Sequence, residues 1–166
     1  SLSALPSLAA DDDWSLCPAP ASYRAPQLHP NLPLGTLQAY ADRLESQSIN
    51  GQQRIILDGN VVLESHQEIV QADHADFDRN SGNMLLDGNV QMHSTEMDMY
   101  ASSGSYSQSD GIGGFVDAQY QLRNTRGNGF ASSIARPSAE VTVLDQAVYT
   151  TCAVPQPEWA IHTSRL

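Results

Sequence analysis

Ile56-Leu57-Asp58-Gly59-Asn60-Val61 recurs as Leu85-Leu86-Asp87-Gly88-Asn89-Val90, an ungapped offset of 29 (56 to 85). The likeness continues downstream. Val70-Gln71-Ala72-Asp73-His74-Ala75-Asp76-Phe77 aligns with Met99-Tyr100-Ala101-Ser102-Ser103-Gly104-Ser105-Tyr106 at the same offset. An earlier half-unit, Ala39-Tyr40-Ala41-Asp42-Arg43-Leu44, resembles that second piece. Self-similarity at a fixed period marks a fold built by stacking one small unit on the next.

Both pieces alternate. Ile55, Leu57, Gly59, Val61 and Leu63 share one parity, and Asp58, Asn60 and Glu64 the other, with Ile56 and Val62 as exceptions. In the second copy Met84, Leu86, Gly88, Val90 and Met92 face one way, and Asp87, Asn89, Gln91 and His93 the other. Period two is the period of a strand, and one apolar face opposite a wet one predicts an antiparallel sheet packed on one side. Asp-Gly-Asn also suits a hairpin turn. The parity holds through the glycine, however, so a bend or bulge within one strand is expected. Val116, Ala118, Tyr120 and Leu122 continue the pattern up to a loop, Arg123-Asn124-Thr125-Arg126-Gly127-Asn128-Gly129. Val141 with Val143, and Ala147-Val148-Tyr149-Thr150-Thr151, form two further runs. The expected fold is all-β, of short antiparallel strands, in a sandwich, jelly roll or solenoid.

Charge narrows the function. The 166 residues carry 8 basic side chains, all Arg, against 19 acidic ones, a net charge of −11. That sign excludes the basic footprint a nucleic-acid binder needs and argues against attraction to an anionic membrane surface. No apolar run approaches the ~20 residues that span a bilayer. Ser7 and Ala9, just before Asp11-Asp12-Asp13, match the end of a signal peptide as well as they match an ordinary terminus. Pro18, Pro20, Pro26, Pro30 and Pro33 forbid a helix or central strand there. Residues 1–34 therefore read as a leader remnant and extended lead segment, and residues 35–166 as the folded body. Cys17 and Cys152 could bond to each other, closing a long loop, or to cysteines elsewhere.

No constellation suggests catalysis. His74, Asp76 and Asp78 share a strand face and could hold a hard cation. The second copy has Ser103, Ser105 and Ser107 there, so a solvated face is expected, with no metal or cofactor. His29, His66, His93 and His162 lack zinc spacing. Gly111-x-Gly113-Gly114 reads as a turn, since it lacks the strand-to-helix setting of a phosphate loop. Before any resemblance is weighed, two readings stand: a sugar-binding or structural β-module of an exported protein, and a polysaccharide-acting enzyme. The last is disfavoured by the absence of any repeated catalytic group.

The repeated units resemble the OstA-like repeats of lipopolysaccharide (LPS) transport proteins. Arg126-Gly127-x-x-x-Ala131 lies near that family's Arg-Gly-x-Ala stretch, with longer spacing. Tyr149-Thr150-Thr151-Cys152-Ala153-Val154-Pro155 before Trp159, and Trp14-x-x-Cys17, resemble the periplasmic domain of the family's outer-membrane translocon. The resemblance implies a V-shaped β-jelly roll of two facing sheets on the periplasmic side of the outer membrane. It implies LPS as cargo, received from an LptA-like periplasmic bridge protein. Docking would be by strand addition at an edge strand holding Leu37, Ala39, Tyr40 and Ala41. It implies a C-terminal outer-membrane β-barrel, an LptE-like plug lipoprotein, and bonds from Cys17 and Cys152 each to that barrel. On this reading Ile55, Leu57, Val61, Leu63, Met84, Leu86, Val90, Met92, Ala118, Tyr120 and Leu122 line an acyl-chain path, where composition alone makes them closed core. Each acyl CH₂ kept from water is worth about 0.8 kcal/mol, so even one chain needs an enclosed path.

Overall fold

The computed structural model describes residues 17–18, 20–21, 28, 31–107, 113–138 and 141–166. The residues that read as a signal-peptide remnant, with Trp14, Pro26, His29, Pro30 and Gly111, lie outside them. The strands are β1 Gln38–Tyr40, β2 Arg43–Ile49, β3 Gln52–Glu64, β4 Glu68–Asp78, β5 Asn83–Ser94, β6 Met97–Ser107, β7 Gly113–Leu122, β8 Asn128–Ser138, β9 Val141–Thr150 and β10 Ile161–Arg165. All pairs are antiparallel, and neighbours in sequence are neighbours in the sheet from β3 to β10. The exception is at the start, where β1 and β2 both pair with β3. A two-residue hairpin joins β2 to β3 at Asn50-Gly51, both with positive φ (51° and 81°). That is the backbone a type I′ turn requires, and Asn-Gly is its preferred sequence.

The strands are not short. β3 to β9 run 10 to 13 residues each, because each continues through a corner instead of ending at it. The repeated Asp-Gly-Asn makes that corner. Gly59 and Asn60 have φ of 77° and 45°, and Gly88 and Asn89 have 75° and 47°. The pairing register shifts at both points. Asn60 donates its side-chain amide to Asp42 at 2.8 Å, and the Asp42 N–H donates to the Gly59 carbonyl at 2.8 Å. Asn89 donates to Asp73 in the same way. A Cβ on Gly59 would stand 2.6 Å from Asp42 Oδ2, and one on Gly88 2.5 Å from Asp73 Oδ2. These glycines are needed both for positive φ and for close approach.

The corner line crosses the whole sheet after the motif has faded. Asp117 and Gln146 also have positive φ (51° and 48°). Ser102 donates to the Val116 carbonyl at 3.1 Å, and Ser132 to the Asp145 carbonyl at 3.0 Å. Serine thus stands where Asp42 and Asp73 stand earlier. One continuous sheet is folded along this line into two facing arms, where two sheets were expected.

The core fills the space between the arms. Leu57, Met84, Leu86, Phe115 and Ile134 contribute from one arm, and Val61, Leu63, Met99 and Tyr120 from the other. Beside the corner most of the buried residues are alanines, Ala72, Ala75, Ala118, Ala131 and Ala147, with Val61 and Val90 completing the layer. The arms converge there, and small side chains suit the narrow space. Two expectations on facing are corrected. Asp117 adds a residue at the corner of β7, so Phe115 turns inward and Val116 outward, 46% exposed. His93, expected on the wet face, is 2% exposed. Its ring hydrogen-bonds the buried Asp98 at 2.8 Å, and Asp98 also accepts from Arg123 at 2.6 Å. A buried polar group needs such partners, and these three residues supply them to one another.

Candidate functional site: a cavity between the arms

A cavity of about 190 Å³ lies where the arms diverge from the corner. Leu63, Val70, Met92, Met97 and Met99 line it from one arm, and Met84, Leu86, Phe115 and Ile134 from the other. Four methionines among these make an apolar wall that can reshape itself, since the side chain is unbranched and polarizable. One water-sized group needs only about 15 Å³ by the same measure, so the space is not a packing defect. Leu37, just before β1, closes the edge.

The mouth is polar. Ser65, Glu68, Ser94 and Glu96 stand at the tip of one arm, and Tyr106, Arg136 and Thr142 at the tip of the other. Glu68 of β4 is hydrogen-bonded to Tyr106 of β6 and faces Arg136 of β8. Burial pushes the Glu68 carboxyl above its ordinary range, against the opposing pull of Arg136 and Tyr106. Burial, then the proximity of Glu68, raises the Tyr106 phenol.

The expected lining residues divide in two. Leu63, Met84, Leu86 and Met92 face the cavity. Leu57, Val61, Val90, Ala118 and Tyr120 are buried in the core, with Ile55 and Leu122 half-buried against it. Burial pushes the Tyr120 phenol up to about 12, and its hydroxyl donates to the Val148 carbonyl at 3.0 Å. Val70 and Met99 were missed, although the 29-residue offset already aligns them with each other. Glu68, Tyr106 and Arg136 carry no local signal. On the expected edge strand, Ala39 and Tyr40 are exposed, while Leu37 and Ala41 pack against the core. Asp42 breaks that edge into β1 and β2.

The cysteines close the other end. Cys17 and Cys152 are bonded to each other, with Cα atoms 5.4 Å apart. The bonds to barrel cysteines that the resemblance implied involve residues outside this chain. The Arg126–Ala131 loop explains the proximity. Arg126 donates to the Cys17 carbonyl at 3.0 Å, and Asn128 donates its side-chain amide to the carbonyls of Thr150 (3.2 Å) and Cys152 (2.9 Å). Thr150 donates to the Trp159 carbonyl at 2.7 Å. Gly129 must lack a side chain, because a Cβ would collide with the Val148 carbonyl oxygen.

On the outward face the candidate ligand residues are engaged in structural pairs. His74 bonds Asp58 at 2.6 Å, Asp76 pairs with Arg54, and Asp78 accepts from the Asn80 N–H at 2.9 Å. The guanidinium of Arg43, then His74, holds the Asp58 carboxyl below its ordinary range. No metal-binding group of three ligand residues occurs among the described residues.

The folded-over antiparallel sheet defines a β-jelly roll of the LptA-like OstA class. The fold matches LptH of Pseudomonas aeruginosa, described as the LptA-homologous periplasmic component of the lipopolysaccharide transport device. The TM-score is 0.56 at 11% identity, over 77% of this chain and 94% of that one. No family model matches the chain. Sequence relatives carry the identification further. The LPS-assembly protein LptD of Xanthomonas euvesicatoria pv. vesicatoria is 31% identical over 175 residues, 98% of this chain and 21% of that protein. LptD of Nitrosococcus oceani is 26% identical over 92% of the chain, and that of Xylella fastidiosa 27% over 93%. Over nearly its whole length the chain is similar to one segment of proteins named LPS-assembly protein LptD, spanning about a fifth of their length, and its fold is that of the LptA-like OstA β-jelly roll.

Proposed function

We propose that this chain is the periplasmic domain of an outer-membrane LPS translocon, receiving LPS from a bridge protein and guiding its acyl chains between the two arms. It conducts a ligand and catalyses no reaction. The observation that carries the reading is the methionine-rich cavity, with Leu63, Met84, Leu86, Met92, Met97 and Met99 on facing arms. A closed core of this composition would be filled. Names of the relatives support LPS as the cargo, and the bridge-protein fold supports a shared, stackable architecture.

Both sheet edges are open among the described residues, at β1/β2 and at β10. The β1 edge, with Ala39 and Tyr40 exposed, docks the bridge protein by strand addition. A C-terminal barrel with its plug lipoprotein completes the translocon. Residues 35–166 form the conducting body and residues 1–34 its lead.

Site-specific photocrosslinking in cells tests the path, with the probe at Leu63 and, separately, at Glu64. Leu63 lines the cavity and Glu64 points to the opposite face. LPS adducts at Leu63 alone are expected. Absence of adducts at Leu63 rejects the path. Replacing Tyr40 or Ala41 with Pro should weaken docking of the bridge protein, and undiminished docking moves the interface to another edge.

A further inference from the structure

The polar group at the mouth does more than seal it. Glu68, Tyr106 and Arg136 sit on β4, β6 and β8, alternate strands of the sheet. They meet only because the arms face each other. All three border two spaces at once: the apolar cavity, and a shallower hollow of about 290 Å³ walled by Leu34, Gly35, Thr36, His66 and Gln67. The boundary between greasy and wet space therefore runs through these three side chains.

Among the described residues the lining of the apolar cavity holds one guanidinium, Arg136, and two carboxylates, Glu68 and Glu96. Elsewhere Arg43, Arg54, Arg123 and Arg165 are each committed to an aspartate of the sheet. Arg136 is exposed, so an anion arriving from water can reach it. Its opposite number, Glu68, is partly buried beside apolar groups. A carboxyl in that setting is a weak competitor for the guanidinium, because burial favours its neutral form.

We propose that Arg136 reads the anionic head group of an amphiphile whose acyl chain lies in the cavity, taking the anion in exchange for Glu68. The inference rests on the lipid-conducting reading and adds to it the residue that selects the head. Phosphate is the fitting chemistry, since a guanidinium donates two parallel hydrogen bonds to it. The chain then extends past Leu37 and Met97 toward Met84 and Met99, and the head stays at the rim beside Tyr106.

Calorimetric titration of the purified chain with dodecyl phosphate, neutral dodecyl maltoside and inorganic phosphate tests this. Dodecyl phosphate should bind, and Arg136→Gln should weaken it about tenfold, the size of one charge-assisted hydrogen-bonded contact. Arg136→Lys should restore part of the loss. Glu68→Gln, which removes the competitor, should strengthen it. Dodecyl maltoside should bind with an affinity that neither variant changes. If Arg136 and Glu68 merely latch the arms together, both substitutions will move both amphiphiles in the same direction, and the inference is overturned. It is equally overturned if inorganic phosphate binds as tightly as dodecyl phosphate. If neither amphiphile binds the unsubstituted chain, the lipid-conducting reading fails and takes this inference with it. Binding of both amphiphiles with no response to Arg136→Gln leaves the conducting reading standing and removes only the head-group role.

Discussion

The side-chain amide of Asn89 donates to the carboxylate of Asp73 at 2.7 Å, one strand away and 16 residues back in the chain. Asn60 does the same to Asp42 at 2.8 Å. Each bond ties the first repeated piece to the second and fixes where a long strand turns from one arm into the other. The angle between the arms, and hence the width of the cavity, is set along this line.

Gly88→Ala should therefore cost more than an ordinary loop glycine. The substitution forces a Cβ into the left-handed region at φ 75° and against Asp73. Gly82 has a similar φ of 73° but open space around it. Gly82→Ala should lose about 1 kcal/mol from backbone strain. Gly88→Ala should lose about 2 kcal/mol or more, with the clash added. Urea unfolding of the two variants makes the comparison, and equal losses would show that Asp73 yields freely.

Met99 is 1% exposed and lines the cavity. Met99→Ala enlarges a space that already exists, so the expected loss lies at the low end of the ~2–5 kcal/mol for buried truncations. If the cavity is an acyl path, added dodecyl phosphate should return part of that stability, because a ligand that binds only the folded state stabilises it. Thermal unfolding with and without the amphiphile measures both effects.

Glu68 gives a pH signature. Burial raises its carboxyl above the ordinary value of 4.5. The folded state then holds the proton more tightly than the unfolded state does. Stability attributable to this group is full below 4.5 and is lost as pH rises through the folded-state value. Glu68→Gln should flatten that part of the stability–pH curve and raise stability at neutral pH. Unfolding midpoints collected between pH 4 and 8 should show the flattening, and an unchanged slope would place the shift elsewhere.

The disulfide joins residues 135 positions apart. Chain-entropy models credit closure of such a loop with roughly 4–5 kcal/mol. Cys17→Ser should lower stability by up to that amount. It should also free the lead segment from its hydrogen bond to Arg126. Non-reducing peptide mapping of the isolated chain should find Cys17 linked to Cys152, and a mapping that finds both thiols free would contradict the pairing.

Much of this was legible in the chain because it is local. Alternation of Leu57, Val61 and Leu63 against Asp58 and Glu64 specifies strands with one buried face, and the two ungapped copies of Asp-Gly-Asn mark bends. Asn50-Gly51 signals a hairpin just as locally. The corners at Asp117 and Gln146 were not legible. Positive φ there is imposed by the neighbouring corners in a continuous sheet: Gln146 does not favour it, and Asp117, which tolerates it, has no adjacent glycine to mark a bend. That imposed corner is why Val116 faces outward while Ala118 faces inward.

Sequence by itself determined an all-β chain, a repeated bent unit and a row of apolar residues on one face, since each depends on backbone preferences and spacing over a few residues. Tertiary structure alone decided which of those residues fill the apex and which line a cavity. It also decided that Cys17 meets Cys152 and that Glu68 meets Tyr106 and Arg136. These meetings join strands that are not neighbours in the sheet, or a lead segment to a distant loop. They follow from the angle at which the sheet folds over, and no local pattern encodes that angle.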